Sequence, residues 1–232
     1  MSRGFLLLFG GWLLAAAPAF AQLQEQRHNW AVGVSGGVNM NSVSFEPRIK
    51  QAAHLAPTLG VTARFISEKY FRMICGIQAE VNYSVHGWKE KIEDNSGDIY
   101  HRQMGYVEVP LLAHLGFGKD GDRGARFVVN LGPQIGFLLN EKEVMSESWD
   151  PSQRANGVTQ QYGYLADRKF AYGIVAGGGL ELMTGIGHFI LEARYYYGLS
   201  DFYNSTKKDP FSRSAVSSVV GKLTYLIDLK KR

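Results

Sequence analysis

The chain carries one cysteine, Cys75, and seven prolines. A single thiol excludes an internal disulfide framework, so an exported chain of this kind must draw its stability from elsewhere. Scarce proline leaves long stretches free to form uninterrupted ladders. Beyond the first residues no apolar run approaches the roughly 20 residues a membrane-crossing helix needs. Lysine and arginine are scattered, with no dense basic run beyond Lys230–Arg232, so the formal charge of +4 does not mark a nucleic-acid binder. No histidine pair stands at H-x-x-x-H spacing, and no serine sits in a G-x-S-x-G setting. Neither a metal, nor a cofactor, nor a catalytic residue is expected.

What is present begins with a short basic stretch, MSR, then the apolar GFLLLFGGWLLAAA, then small residues at Ala19 and Ala21. This is the pattern of a secretory leader, with cleavage expected after Ala21. Residues 1–21 are therefore expected to be a signal peptide and 22–232 one domain.

The remainder is built on a two-residue period. In FILEARYYYGLS, Phe189, Leu191, Ala193, Tyr195, Tyr197 and Leu199 alternate with residues that include Glu192 and Arg194. That is a strand with one oily face and one charged face. The same alternation recurs near Trp30–Met40, Thr58–Ser67, Arg72–Val85, Arg102–Phe117, Ala125–Asn140, Lys169–Thr184, His188–Ser200 and Ala215–Leu229. Most of these outrun the five or six residues typical of soluble strands and suit a membrane crossing. The connections alternate long and short: 41–57 long, SEKYF short, 86–101 long, GKDGDRG short, 141–168 long, GIG short, DFYNSTKKDPFSR long. An up-and-down meander with long loops on one side of a membrane and tight turns on the other produces this pattern. The expected fold is all-β: an eight-stranded antiparallel up-and-down transmembrane β-barrel of outer-membrane type.

A charge deep in a strand that faced lipid would cost roughly 2–4 kcal/mol near the midplane. The charged parity is therefore expected to face the lumen, with Arg64, Glu80, Glu108, Glu181, Glu192, Arg194 and Lys222 as a paired structural network. Aromatics test the same register. Trp30, Phe65, Phe71, Phe117, Phe127 and Phe189 fall at the short-turn ends of the apolar parity. Tyr83, Phe137, Phe170, Tyr172, Tyr195 and Tyr197 fall at its long-loop ends. Two such belts mark the two water–lipid interfaces of a barrel.

Other patterns carry less. Gly116–Gly121 spells G-x-G-x-x-G, but between antiparallel strands rather than before a helix. Ile92–Asp98 clusters acids without EF-hand spacing. His114 lies on the polar parity and is expected to be a hydrogen-bonded structural group, whereas His54, His86 and His101 are expected at strand ends or in loops.

Four segments carry a resemblance. YVEVPLLAHLGFG (106–118), VNLGPQIGFLL (129–139), FAYGIVAGGGLEL (170–182) and LEARYYYGLSDF (191–202) resemble the PorT-like outer-membrane β-barrel family of Bacteroidetes. The resemblance implies an eight-stranded outer-membrane barrel and no particular chemistry. Its namesake branch serves type IX secretion, and the segments that distinguish that branch are not found here. Many outer-membrane barrels end on an aromatic residue read by the assembly machinery. This chain ends LIDLKKR, with Tyr225 its last aromatic.

The expected role is structural or interactive in a monomer. Its partners would be outer-membrane lipid, the barrel-assembly machinery, and an unidentified protein or glycan at loop 141–168, which offers Trp149, Tyr162 and Tyr164. Three rivals stand beside it. A lipid-modifying enzyme would need a Ser/His pair at the outer leaflet, for which Ser84 and His86 are nearest. A lipocalin-like carrier would turn its apolar face inward. A narrow channel would need an open lumen.

Overall fold

The computed structural model describes residues 24–93, 96–118, 123–150 and 158–229. The expected leader, the last three residues, Asp94 and Asn95 of the acidic loop, and Lys119–Gly121 of the glycine motif lie outside them. Among the described residues nine strands follow one another: β1 (Gln24–Glu46), β2 (Gln51–Ala52), β3 (His54–Tyr70), β4 (Met73–Glu90), β5 (Tyr100–Gly118), β6 (Gly124–Met145), β7 (Phe170–Thr184), β8 (Gly187–Asp201) and β9 (Arg213–Asp228). Every pairing is antiparallel. The eight long strands form a closed ring, because β1 pairs with both β3 and β9 and each remaining strand pairs with its sequence neighbour. β2 is a two-residue satellite on the end of β4.

The two-residue period decides which way each side chain points. Val34, Leu59, Ile77, Leu111, Leu180, Leu191 and Leu223 are each more than half exposed, far beyond what a water-facing strand tolerates in a row. Their neighbours on the other parity, among them Asn39, Thr62, Gln78, Asn130 and Thr224, are buried. The molecule is thus polar inside and apolar outside, the reverse of a soluble barrel and of the lipocalin-like rival.

The ladders run well past the expected segments at the long-loop end. β1 continues to Glu46, β4 to Glu90 and β6 to Met145, while β3 starts at His54 and β5 at Tyr100. The loops expected at 41–57, 86–101 and 141–168 shrink to 47–53, 91–99 and 146–169. The reason is visible in the packing. Val43, Phe45, Trp88, Tyr100 and Met104 point inward from these extensions and bury one another in an apolar cluster above the polar lumen. The short turns are tight, with 71–72 and 185–186 joining their hairpins. Phe71 occupies its turn at φ 52° and leaves its ring 73% exposed.

Lumen-facing glycines let long side chains cross the barrel. A methyl group at Gly177 would meet the Ala193 carbonyl oxygen at 2.5 Å and Arg194 Cγ at 2.6 Å.

Candidate functional site

Two layers of charge fill the lumen. Glu80, on β4, accepts five hydrogen bonds: from Arg194 Nη2 (2.8 Å) and Nη1 (3.0 Å), Lys222 Nζ (2.5 Å), Gln78 Nε2 (2.7 Å) and Asn82 Nδ2 (3.0 Å). Arg194 reaches Glu192 as well, donating from Nη2 (2.7 Å) and Nε (3.2 Å), and Asn130 donates to the same carboxylate. Nearer the short-turn end, Glu181 gathers Arg64 Nη1 (2.9 Å), Arg126 Nε (2.7 Å) and His188 Nδ1 (2.7 Å). His188 Nε2 in turn lies 2.9 Å from Asp228 Oδ2. Glu80, Glu192, Arg194 and Lys222 in one layer and Glu181, Arg64 and Arg126 in the other are buried, where an uncompensated charge is expensive.

Of the seven lumen residues read from the sequence, the structure brings Glu80, Glu192, Arg194 and Lys222 into one layer and Arg64 and Glu181 into the other. Glu108 stands apart. Its Oε1 lies 2.7 Å from His86 Nε2 and accepts from Gln134 Nε2 at 2.7 Å, with neither lysine nor arginine at ion-pair distance among the described residues. His86 is therefore no strand-end residue. It is buried in the lumen, its Nδ1 2.9 Å from Asn41 Oδ1. His114 is buried too, with Nδ1 2.8 Å from Asn130 Oδ1.

Sequence reasoning missed Arg126 and His188, although each precedes an outward aromatic, Phe127 or Phe189, and so lies on the inward parity. Arg126 faces Glu181 directly across the β6–β7 ladder. It also missed the cap at the long-loop end, centred on fully buried Arg102. Arg102 forms ion pairs with Glu141 and Glu143 and donates to Tyr203 Oη (3.0 Å) and the Gln161 carbonyl (3.0 Å). Its guanidinium carbon lies 5.3 Å from the Trp88 ring centroid. Burial pushes the Tyr203 phenol up from its ordinary pKa, which keeps its proton for the Tyr164 carbonyl at 3.0 Å. Loop 146–169 is fastened to the same two carboxylates and to Glu90: Gly163 N donates to Glu143 (3.0 Å), Ala166 N to Glu141 (3.0 Å) and Tyr162 Oη to Glu90 (2.7 Å).

The loop aromatics expected to await a partner turn inward. Trp149 stacks on Tyr100 at 5.1 Å, Tyr162 meets both rings, and Tyr164 packs on Tyr203 at 5.0 Å. Apolar surface in this loop remains at Leu165, 65% exposed.

On the outer wall, Trp30, Phe117 and Phe127 are exposed toward the short turns, with Phe65 and Phe189 half-buried beside Trp30 and Tyr225 at 4.7 and 4.9 Å. Tyr83, Phe137, Phe170, Tyr172, Tyr195 and Tyr197 are exposed toward the long loops. From Phe127 to Phe137 is ten residues, or about 25 Å of barrel height at ~3.3 Å per residue and ~40° tilt. That is the thickness of an apolar band.

Ser84 and His86 do not pair. The Ser84 hydroxyl lies 2.8 Å from Thr58 Oγ1, and both Ser84 and His86 face the lumen, away from lipid. No group of His, Cys, Asp and Glu suited to a metal ion occurs among the described residues. Small voids remain in the lumen among the described residues. One, ≈ 30 Å³, is lined by Asn39, Ser218 and Lys222, and another, ≈ 20 Å³, by His86 and Tyr106. Each has room for a water or two.

A family model described as outer membrane protein beta-barrel domain matches residues 20–204. Against curated proteins no sequence matches. Among solved structures the chain is similar to the outer membrane protein OprG from Pseudomonas aeruginosa, at 12% identity over 88% of this chain and 97% of that one, TM-score 0.48. It is similar to Ail, the attachment invasion locus protein of Yersinia pestis, in complex with the heparin analogue sucrose octasulfate, at 11% identity over 85% and 99%, TM-score 0.38. It is similar also to the outer membrane enzyme PagL, at 12% identity over 84% and 98%, TM-score 0.43.

Proposed function

Since the chain belongs to the outer membrane protein beta-barrel domain family and resides in the bacterial outer membrane, we propose that it is a closed, non-conducting barrel whose ordered extracellular cap is a contact surface for another macromolecule. The observation that carries this reading is the continuity of packing along the axis. The Glu181 layer, the Glu80–Arg194 layer and the Arg102 cap succeed one another, and the voids between them are water-sized. An ion entering from outside would have to displace buried salt bridges, which costs several kcal/mol for each partner left uncompensated.

The cap favours a contact role because its loops are tied down. A surface held by Arg102, Glu141, Glu143 and Glu90 loses little conformational entropy when a partner docks. The lumen network is then structural, holding the wall and the cap in one arrangement. A lipid-modifying activity finds no support at Ser84 and His86, which face inward and are engaged elsewhere. The motifs in residues 106–118, 129–139, 170–182 and 191–202 support a finer assignment to the PorT-like barrels of Bacteroidetes.

Two measurements test this. In planar bilayers the protein is expected to show no steady conductance, and an open-pore current from the wild-type chain would overturn the closed reading. A photo-crosslinking residue at position 165 in living cells is expected to give a discrete protein or glycan adduct. Adducts to lipid alone would refute the contact role.

A further inference from the structure

Beyond the upper girdle the strands β4, β5 and β6 sort charge by face. Inward lie Arg102, Glu141 and Glu143, which form ion pairs in the cap. Outward lie Lys89, His101, Gln103 and Lys142. The register sets these four on adjacent rungs: Lys89 is opposite His101 across β4–β5, and Gln103 is opposite Lys142 across β5–β6. A register shift between Gly105 and Tyr106 produces the arrangement, since it turns Glu141 and Glu143 inward and Lys142 out. Among the described residues no carboxylate stands at ion-pair distance from Lys89 or Lys142.

The imidazole of His54 joins them, its ring centroid 5.8 Å from that of His101. His54 is 7% exposed, and its Nε2 is buried without a hydrogen-bond partner. Burial first, and then neighbouring positive charge, hold both imidazoles below their ordinary pKa: His101 and Lys89 act on His54, and Lys89 and Lys142 act on His101. Lys89 and Lys142, on the outer face beside His101, give an electropositive spot complementary to an anion carried by the membrane.

We propose that Lys89, His101 and Lys142, with Gln103 beside them, bind a phosphate group on the saccharide headgroup of an outer-leaflet glycolipid. Height selects this lipid class. Lys142 stands five residues beyond Phe137 and Lys89 six beyond Tyr83, so the patch lies roughly 12–15 Å above the girdle at ~3.3 Å per residue and ~40° tilt. Lysine stems snorkel back toward the interface, which shortens that gap by several ångströms. A simple phosphodiester sits within the interfacial zone, about 5–8 Å deep, whereas a phosphorylated sugar stands tall enough to meet the cations. The site is independent of whether the lumen conducts.

The test uses the whole protein in nanodiscs of phosphatidylcholine containing a small fraction of diphosphoryl lipid A, followed by extraction and quantification of the lipid A that stays bound. The wild-type chain is expected to retain it. The doubly substituted Lys89→Gln/Lys142→Gln chain is expected to bind about 30-fold more weakly, from the typical attraction of two lysines to an anionic membrane surface. A Lys207→Gln/Lys208→Gln chain, altered in loop 202–212, is expected to match wild type. Both variants change exposed or half-exposed side chains, and His101→Gln supplies an independent lesion in the same site. Equal retention by the Lys89/Lys142 variant, or an equal loss in the Lys207/Lys208 variant, would overturn the proposal. A shift of the His101 imidazole resonances by inorganic phosphate alone, in phosphatidylcholine nanodiscs, would assign the site to a soluble ion and overturn the lipid.

Discussion

Replacing Glu80 by glutamine removes the anion on which the larger lumen layer converges. Five hydrogen bonds from four side chains end on this carboxylate, and two of those side chains, Arg194 and Lys222, are charged. Arg194 would keep Glu192, but Lys222 would keep only neutral acceptors, the new amide oxygen and the Asn82 side-chain oxygen at 3.2 Å. The variant therefore leaves a lysine 3% exposed with no counter-charge at hydrogen-bond distance. Breaking a buried pair in this way costs about 3–5 kcal/mol. Glu108→Gln is the internal control, because Glu108 accepts from an amide and contacts a histidine, with no lysine or arginine bound to it. Its cost is expected to be nearer about 1.5–3 kcal/mol, the scale of hydrogen bonds to a charged group. Urea unfolding in lipid vesicles, followed by tryptophan fluorescence and by the band shift between folded and unfolded barrel on cold gels, measures both. Adding Lys222→Met to Glu80→Gln removes the stranded charge and is expected to recover a large part of the loss. If Glu80→Gln cost less than about 1 kcal/mol, or no more than Glu108→Gln, the view of the lumen as a charge-balanced support would be wrong.

Three further outcomes follow from the geometry. Gly177→Val would drive a branched side chain into the Ala193 carbonyl and Arg194, so the protein is expected to fail to reach its folded gel form, whereas Gly221→Ala, with open space around it, is expected to fold normally. Leu131→Arg, on the lipid face between the Phe127 and Phe137 girdles, is expected to cost about 2–4 kcal/mol in the same urea assay, the scale for a cation at the midplane. In loop 91–99, Lys50 and Lys91 hold the Glu93 carboxyl down to about 2. The link between these loops is thus in place above the ordinary carboxylate range and is lost only as pH falls through about 2. NMR titration of the Glu93 carboxyl carbon checks this, and a midpoint near 4.5 would show the link to be absent.

Alternation by itself determined the architecture. A strand that is charged on one parity and aliphatic on the other has one stable arrangement in a bilayer, and that arrangement fixes the direction of Arg64, Glu181, Arg194 and the aromatic belts before any contact is known. Arg126 and His188 share that inward parity but were missed, and Trp88, expected in loop 86–101, was placed by the structure within β4. Partner choice belonged to the tertiary structure, because residues such as Arg194 and Glu80 meet across the lumen from strands that are not neighbours in the sheet. So did the cap. Strict parity counted from Phe137 would send Glu141 and Glu143 outward and Lys142 inward, and a single irregularity in the β5–β6 ladder reverses all three. A period of two reports which face a residue occupies only while the register is unbroken, and a bulge, whose position depends on the partner strand, resets it.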